Sequence, residues 1–275
     1  MAPLLAGIIS FALFKSVQQL ILDTDDPFQR SKTLIPVYIW IVGFMISMVT
    51  LLKGLKHLGL SFDFGLGSKF ANALPVSILV GLVIAMIGVF LLRRIDYEEN
   101  EDNRYASVER VFGVLMMFTA CSMAFAHGSN DVANAVGPLA AVASIVKSGG
   151  SVSATTAIPG WILLTGALGI VVGLSTYGWK VIATIGNKIT ELTPSRGFAA
   201  TLAAATTVVF ASATGLPIST THTLVGAVLG VGLARGIAAI DLRVIGSIFV
   251  SWLITLPAGA VLAIIFFFTL RGIYS

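Results

Sequence analysis

The sequence predicts an all-α integral membrane protein, a bundle of several helices that cross the bilayer. Of its 275 residues, 56% are hydrophobic and only 11% are charged, and the mean hydropathy is +0.95. Soluble domains carry about 25% charged residues, so a soluble enzyme and a disordered chain are both excluded. Cys121 is the only cysteine, which excludes a disulfide-bonded secreted scaffold. The net charge of +4 is typical of basic loops that orient membrane proteins, and no nucleic-acid partner is expected.

Apolar stretches long enough to cross a bilayer recur along the chain. A helix needs about 20 mostly apolar residues to span the hydrocarbon core. The last of these stretches contains Pro257, where the helix is expected to tilt or bend. The clearest candidate spans are residues 2–22, 33–52, 73–92, 155–176 and 242–270.

Charge density divides the chain. Residues 1–110 hold 10 Lys/Arg and 10 Asp/Glu, whereas residues 111–275 hold only 7 and 3. We therefore predict N-terminal transmembrane helices in residues 1–92, a hydrophilic connector in residues 93–107, and a part carrying the functional site in residues 108–275. Most loops contain Lys or Arg, so the membrane orientation stays open.

Two polar segments interrupt apolar sequence in the last part of the chain. The first polar segment, residues 127–135, follows an apolar stretch, and so does the second polar segment, residues 214–223. More apolar sequence follows each one. Backbone that leaves a helix at membrane depth is tolerated only where it is packed in protein or lines a wet cavity. Two such segments predict two broken or re-entrant helices that form the substrate site of a transporter.

The first polar segment offers oxygen ligands on one helix face. Asn130, Asp131 and Asn134 are three and four positions apart, which places them on one side of a helix. Carboxylate and amide oxygens suit hard cations. A charged Asp at membrane depth costs about 2.5–3.5 kcal/mol on insertion and indicates a functional site. The alternative is that Asn130 and Asp131 only cap the start of a helix.

The second polar segment is typical of a helix start. Ser219, Thr220 and Thr221 follow Pro217, so hydroxyl groups and free backbone N–H groups gather at the positive end of a helix dipole. Such an end binds anions, phosphate above all. An ordinary Ser/Thr helix cap is the alternative.

Three further side chains are candidates for the site. His127 and His222 adjoin the polar segments and act either as a proton relay or anion donor, or as packed histidines. Glu109 begins the span before the first polar segment, either as a helix-dipole partner or as a ligand of a coupling ion. A nucleotide-binding loop of the Gly-x-x-x-x-Gly-Lys-Ser/Thr type is absent from the sequence, so an ion gradient is the expected energy source.

At these segments the sequence resembles the inorganic phosphate transporter (PiT) family, whose signatures are Gly-x-Asn-Asp-x-x-Asn and Gly-Leu-Pro-x-Ser-Thr-Thr-His. They stand here at residues 128–134 and 215–222, and the resemblance extends to residues 193–198 and 23–27. It implies a secondary transporter of the cell (inner) membrane, not an enzyme. Such a protein carries phosphate with sodium or protons by alternating access and is built from two inverted repeats.

The resemblance also implies which side chains hold the cargo, with no resident cofactor and no metal besides sodium. The phosphate ligands would be Asn130, Asp131, Ser219, Thr220 and Thr221. The sodium ligands would be Asp131, Asn134, Glu109, Ser219 and Thr221.

The chain departs from the family pattern in two ways. It has a single Asn-Asp segment, and its start resembles the middle of family members. We therefore expect the C-terminal portion with one of the two inverted repeats, completed by a homodimer or by the missing N-terminal repeat. Thr201 stands where many relatives have Glu, which leaves the coupling ion open.

Other functions stay open at this point. The same fold could carry another oxyanion such as sulfate. A membrane hydrolase would use Ser219 or Ser129 with His222 or His127. The sequence has no Gly-x-Ser-x-Gly elbow, and His127 and Ser129 lie on different sides of a helix. A channel or a structural subunit is a third possibility.

Overall fold

The structure is a computed structural model that describes residues 1–51, 69–94, 105–151, 158–213, 216 and 218–274. Every regular element in these residues is helical. A π-helical turn, Gln18–Leu22, extends α1, and two others, Leu174–Gly178 and Thr184–Lys188, flank α6. The helices are α1 (Ala2–Val17), α2 (Pro27–Val49), α3 (Lys69–Leu92), α4 (Ala106–Lys147), α5 (Gly160–Gly173), α6 (Trp179–Ala183), α7 (Pro194–Ala213), α8 (Thr220–Arg235) and α9 (Leu242–Tyr274).

Six segments of the described chain are long and apolar enough to cross a membrane, which confirms the predicted multi-span helical protein. They are Ala2–Leu22, Pro27–Met48, Ala71–Leu92, Ala106–Lys147, Gly160–Lys188 and Leu242–Tyr274.

Several predicted span boundaries differ from the helices found. The second span begins at Pro27 rather than at residue 33, because the Asp26 side chain accepts a hydrogen bond from Gln29 N (3.0 Å) and caps the helix. The span predicted from residue 155 begins in residues 152–157, outside the described residues, and the described helix starts at Gly160.

The predicted hydrophilic connector lies largely outside the described residues, which resume at Tyr105. The division of the chain at this connector stays a prediction. The main hydrophobic core contains residues from before and after this connector. Val17 of α1 and Ile39 of α2 are buried in the same cluster as Phe112 of α4 and Phe198 of α7.

Close approach of α1 and α8 defines the centre of the bundle. A Cβ atom placed on Gly226 would collide with Pro3 O, and one on Gly230 would collide with Gly7 O. The Ser10 hydroxyl donates a hydrogen bond to Ala227 O (2.6 Å) across the same contact. Small residues four apart let helix backbones touch in lipid. Glycine at these positions therefore fixes where α8 lies.

The first polar segment does not interrupt a helix. We expected the backbone to leave the helix at residues 127–135, and this expectation is wrong, because α4 runs without a break for 42 residues. The segment contains no proline, and Gly128 costs a helix only about 1 kcal/mol. At 1.5 Å per residue α4 is about 63 Å long, roughly twice the hydrocarbon thickness.

The second polar segment does separate two helices, as predicted. Helix α7 ends at Ala213 and α8 begins at Thr220, and Leu216, Ile218 and Ser219 are outside the helices. Among the described residues, Ile218 and Ser219 therefore bring non-helical backbone to the start of α8.

Helix α9 has no buried residue along its 33 residues. It touches the core cluster through partly buried Val244, Ile248 and Trp252. A helix that is apolar all round is typical of a membrane span.

We expect Gly230→Ala to lower the melting temperature of the protein in detergent, because the added methyl group meets the backbone of Gly7. Overpacking of this kind costs about 1–3 kcal/mol. Gly246→Ala is the matched control, since nothing lies within 4 Å of a Cβ at Gly246. Circular dichroism melts of both variants check this, and equal melting temperatures would contradict the described packing.

Candidate functional site

The middle of α4 meets the start of α8 through a set of side-chain hydrogen bonds. Asp131 Oδ1 accepts a hydrogen bond from Thr220 Oγ1 at 2.9 Å. Asn130 Nδ2 and Asn134 Nδ2 donate to the same carbonyl, Ile218 O, at 3.1 and 3.2 Å. The two polar segments, 84 to 89 residues apart, therefore form one site.

This geometry follows from two local features. Asn130 and Asn134 lie one turn apart on α4 and reach one acceptor, which confirms the predicted common face for these residues and Asp131. Ile218 is outside the helices, so its carbonyl has no helical N–H partner and accepts side-chain donors instead.

The start of α8 is capped by Ser219. Its side-chain oxygen accepts a hydrogen bond from His222 N at 3.3 Å, and its carbonyl accepts from the Thr223 hydroxyl at 2.8 Å. The Ser/Thr cap that the sequence left open as an alternative is therefore present. Thr220 is buried, whereas Ser219 and Thr221 are exposed. In the described part of the chain, the backbone N–H groups of Thr220 and Thr221 have no hydrogen-bond partner.

His127 contacts the other oxygen of the Asp131 carboxylate. Its Nε2 lies 2.7 Å from Asp131 Oδ2, one helical turn away along α4. Asn130 Nδ2 also approaches Asp131 Oδ1, at 3.4 Å. Among the residues that the structure describes, His127 is the only basic side chain paired with Asp131. The Asp131 side chain is 34% exposed, so the carboxylate stays reachable by an ion.

His222 points to α9 rather than to Asp131. Its ring stacks on Trp252, with ring centroids 4.2 Å apart and planes 28° from parallel. The structure therefore places it as a packed histidine beside the site. Its ring is not aimed at Ser219, whose hydroxyl binds the His222 backbone, so these two residues are not arranged as the serine and base of a hydrolase. The Ser129 side chain lies outside the described part.

Glu109 does not lie with the other candidates. It is 22 positions before Asp131, about 33 Å along α4. Its two carboxylate oxygens accept hydrogen bonds from Ser195 N (2.8 Å) and the Ser195 hydroxyl (2.7 Å) at the start of α7. Since carboxylates stabilise a helix N-terminus, Glu109 joins α4 to α7. Glu109 therefore lies apart from Asp131, and its role as a sodium ligand stays a prediction.

Sequence reasoning missed Ser195 as the partner of Glu109. The available signal was Pro194, since proline favours the first position of a helix and the next residues then present free N–H groups.

Thr201 joins α7 to α4 through a hydroxyl contact. Its hydroxyl group is hydrogen-bonded to that of Thr119 at 2.8 Å. A neutral hydroxyl pair therefore lies between the two helices at this position.

The oxygen atoms of this site are a carboxylate, amides, hydroxyls and a backbone carbonyl. This is a donor set for hard cations rather than for transition metals. Within the described ranges, no three His, Cys, Asp or Glu side chains come together as a metal centre.

The comparisons with known proteins agree with the resemblance. The phosphate transporter family (PHO4) matches residues 1–263. A protein of Haemophilus influenzae named as a phosphate permease is 51% identical over 99% of this chain and 64% of its own length. The inorganic phosphate transporter 2-1 of Arabidopsis thaliana chloroplasts is 39% identical over the whole chain and 49% of its own length.

A solved structure, described as "The sodium-dependent phosphate transporter", matches with a TM-score of 0.80 and 39% identity, over 93% of this chain and 60% of that chain. The chain thus spans less than two thirds of the length of these relatives. Its helices, its two signature segments and the match over residues 1–263 agree. The chain belongs to the phosphate transporter family, a family of multi-pass membrane transporters and not of enzymes.

Proposed function

We propose that the contact between α4 and the start of α8 binds phosphate and sodium, and that the protein moves phosphate across the cell (inner) membrane by alternating access. The observation that carries this proposal is the hydrogen bond between Asp131 and Thr220, which joins a cation-binding carboxylate to a helix N-terminus. The similarity to a sodium-dependent phosphate transporter supports sodium as the coupling ion.

The start of α8 supplies the phosphate ligands. Two backbone N–H groups, those of Thr220 and Thr221, have no partner in the described chain and lie at the positive end of the helix dipole. The hydroxyl groups of Ser219 and Thr221 are exposed beside them. Such an arrangement binds an anion without any lysine or arginine.

Sodium binds on the α4 side, through oxygens of Asp131 and Asn134 with help from Ser219 and Thr221. Burying either ion alone is costly, because a charge loses its hydration at membrane depth. When both are present, each lowers that cost for the other. Sodium and phosphate therefore bind with positive coupling, as a symporter requires.

Asn130 and His127 have roles that follow from their contacts. Asn130 orients the Ile218 carbonyl and reaches Asp131, so it shapes the phosphate side. His127 holds the second oxygen of the carboxylate, so it is the proton or anion partner of the site. A homodimer, or pairing with an N-terminal repeat, completes the site, since solved and curated relatives are longer than this chain.

We expect Asp131→Asn to lower sodium-dependent phosphate uptake by about tenfold or more, because a bond to a charged group contributes about 1.5–3 kcal/mol. The measurement is radiolabelled phosphate uptake into proteoliposomes with and without an inward sodium gradient. Asp241→Asn is the matched control, since Asp241 caps α9 by accepting from Arg243 N at 2.9 Å and asparagine caps equally well. Unchanged uptake in Asp131→Asn would remove this residue from the site.

The double variant Ser219→Ala/Thr220→Ala should weaken phosphate binding more than sodium binding, because it removes two hydroxyl groups at the start of α8. Equilibrium binding of each labelled ion measures this. Thr207→Ala is the control, since the Thr207 hydroxyl binds Ala203 O within α7 at 2.8 Å. A larger loss of sodium affinity would reverse the division of ligands proposed here.

Unlabelled sulfate should compete poorly with phosphate. Hydrogenphosphate carries a proton that it can donate to a further lone pair of the Asp131 carboxylate. Sulfate carries no proton, so it forms one hydrogen bond fewer and its oxygens repel the carboxylate. Uptake of labelled phosphate against rising sulfate concentration tests this. Equal inhibition by sulfate and by unlabelled phosphate would favour a general oxyanion transporter on the same fold.

A further inference from the structure

A cavity lies at the end of α8 that is far from Asp131. It has a volume of about 600 Å³ and lies where α1 ends, α4 and α7 begin, and α8 ends. Thr220 and Arg235 are the first and last residues of α8, so this cleft is about 24 Å from the Asp131 site along the helix. Because the ends of four helices meet here, the cleft opens at an end of the bundle.

Two arginines, Arg196 and Arg235, line this cleft. Arg235 donates one hydrogen bond, to Thr190 Oγ1 at 2.9 Å, and in the described part of the chain no carboxylate lies within 4 Å of it. A guanidinium has five N–H donors, so most of those on Arg235 are unused. It is partly buried, where unused charged donors are costly.

Arg196 is also poorly neutralised. It donates to Glu191 O at 3.0 Å and lies 3.6 Å from the Glu191 carboxylate, whose side chain is 79% exposed. Exposed ion pairs of this kind contribute about 0–1 kcal/mol. Arg196 and Arg235 are close enough for their charges to repel each other.

The acidic side chains of the cleft do not remove this repulsion. Glu109 attracts Arg196, but both of its oxygens accept hydrogen bonds from Ser195. Asp23 lines the cleft too, and it is exposed to solvent. Neither carboxylate forms an ion pair with Arg196 or Arg235 in the described structure.

An ordinary role at a helix terminus explains Arg235 but does not explain Arg196. Arg235 in the last turn of α8 is favourable to the helix dipole. Arg196 is the third residue of α7, and a cation at a helix N-terminus opposes the dipole. A bound anion would neutralise both guanidiniums, and their planar forks match the oxygens of a phosphate group.

We propose that this cleft binds a phosphate group through Arg196 and Arg235, without sodium. The group is either free inorganic phosphate or the headgroup of an anionic phospholipid, since both present the same oxygens at the end of the bundle. Gln18 and Tyr105 also line the cleft. The proposal does not depend on transport at Asp131.

The test uses the whole chain in phosphatidylcholine nanodiscs, in choline chloride without sodium. Binding of radiolabelled phosphate is measured for the unchanged protein and for Arg196→Gln and Arg235→Gln. In a second arm, phosphatidylglycerol retained from mixed micelles is quantified after lipid extraction. Arg243→Gln is the matched control, because Arg243 is exposed at the start of α9, outside the cleft.

Each cleft variant should lower the affinity for one of the two ligands by about tenfold, the loss expected for a charge-assisted hydrogen bond. Arg243→Gln should leave the binding of both ligands unchanged. Arginine-dependent phosphate binding identifies the free ion, and arginine-dependent phosphatidylglycerol retention identifies a lipid. Arg235→Lys keeps the charge and should retain more binding than Arg235→Gln, which separates recognition from misfolding. Asp131→Asn should retain cleft binding even where it stops sodium-driven uptake.

Two results would overturn the proposal. One is that Arg196→Gln and Arg235→Gln, eluting as folded protein in size-exclusion chromatography, bind both ligands like the unchanged chain. The other is that Asp131→Asn loses the sodium-independent binding, because the ligand then occupies the Asp131 site rather than the cleft.

Discussion

The Asp131 carboxylate is the constraint on which the rest of the site depends. An ionised carboxylate in the middle of a membrane-spanning helix needs hydrogen-bond donors on both oxygens. Thr220 serves one oxygen from the start of α8, and His127 serves the other from one turn earlier on α4. Meeting this requirement fixes the start of α8 against α4. The α7–α8 connection then leaves the Ile218 carbonyl free to accept from Asn130 and Asn134.

Packing of α8 against α1 makes this position rigid. Gly226 and Gly230 allow backbone contact with Pro3 and Gly7, and Ser10 adds a buried hydrogen bond to Ala227 O. Because interiors packed in this way deform little, α8 acts as a rod with one end at the Asp131 site and the other at the arginine cleft. A displacement of α8 would therefore move residues at both the Asp131 site and the arginine cleft.

The sequence predicted those features that depend on residues close in the chain, including the helical spans, the shared face of Asn130, Asp131 and Asn134, and the helix start at Ser219. It predicted that the two polar segments form one site, but it did not predict the individual contacts between distant residues. Glu109 binds Ser195, and His222 stacks on Trp252. The predicted break in α4 was wrong, because hydrogen-bond partners from the second polar segment let a helix with polar residues continue unbroken. The spacing of residues along a helix predicts which of them share a face, but not which residues of other helices contact that face.

The bonds at Asp131 suggest how sodium and phosphate are coupled in the proposed function. A threonine hydroxyl has one proton to donate and two lone pairs to accept or ligate. With no ion bound, the Thr220 proton is directed to the Asp131 carboxylate. In the proposed function, a sodium ion at Asp131 would stabilise that carboxylate in place of the Thr220 proton and would be attracted by the Thr220 oxygen. The hydroxyl would then rotate and direct its proton to the side of α8 where the N–H groups of Thr220 and Thr221 have no partner within the described residues. Sodium would thus prepare the anion site by redirecting a single proton to the donors that receive phosphate.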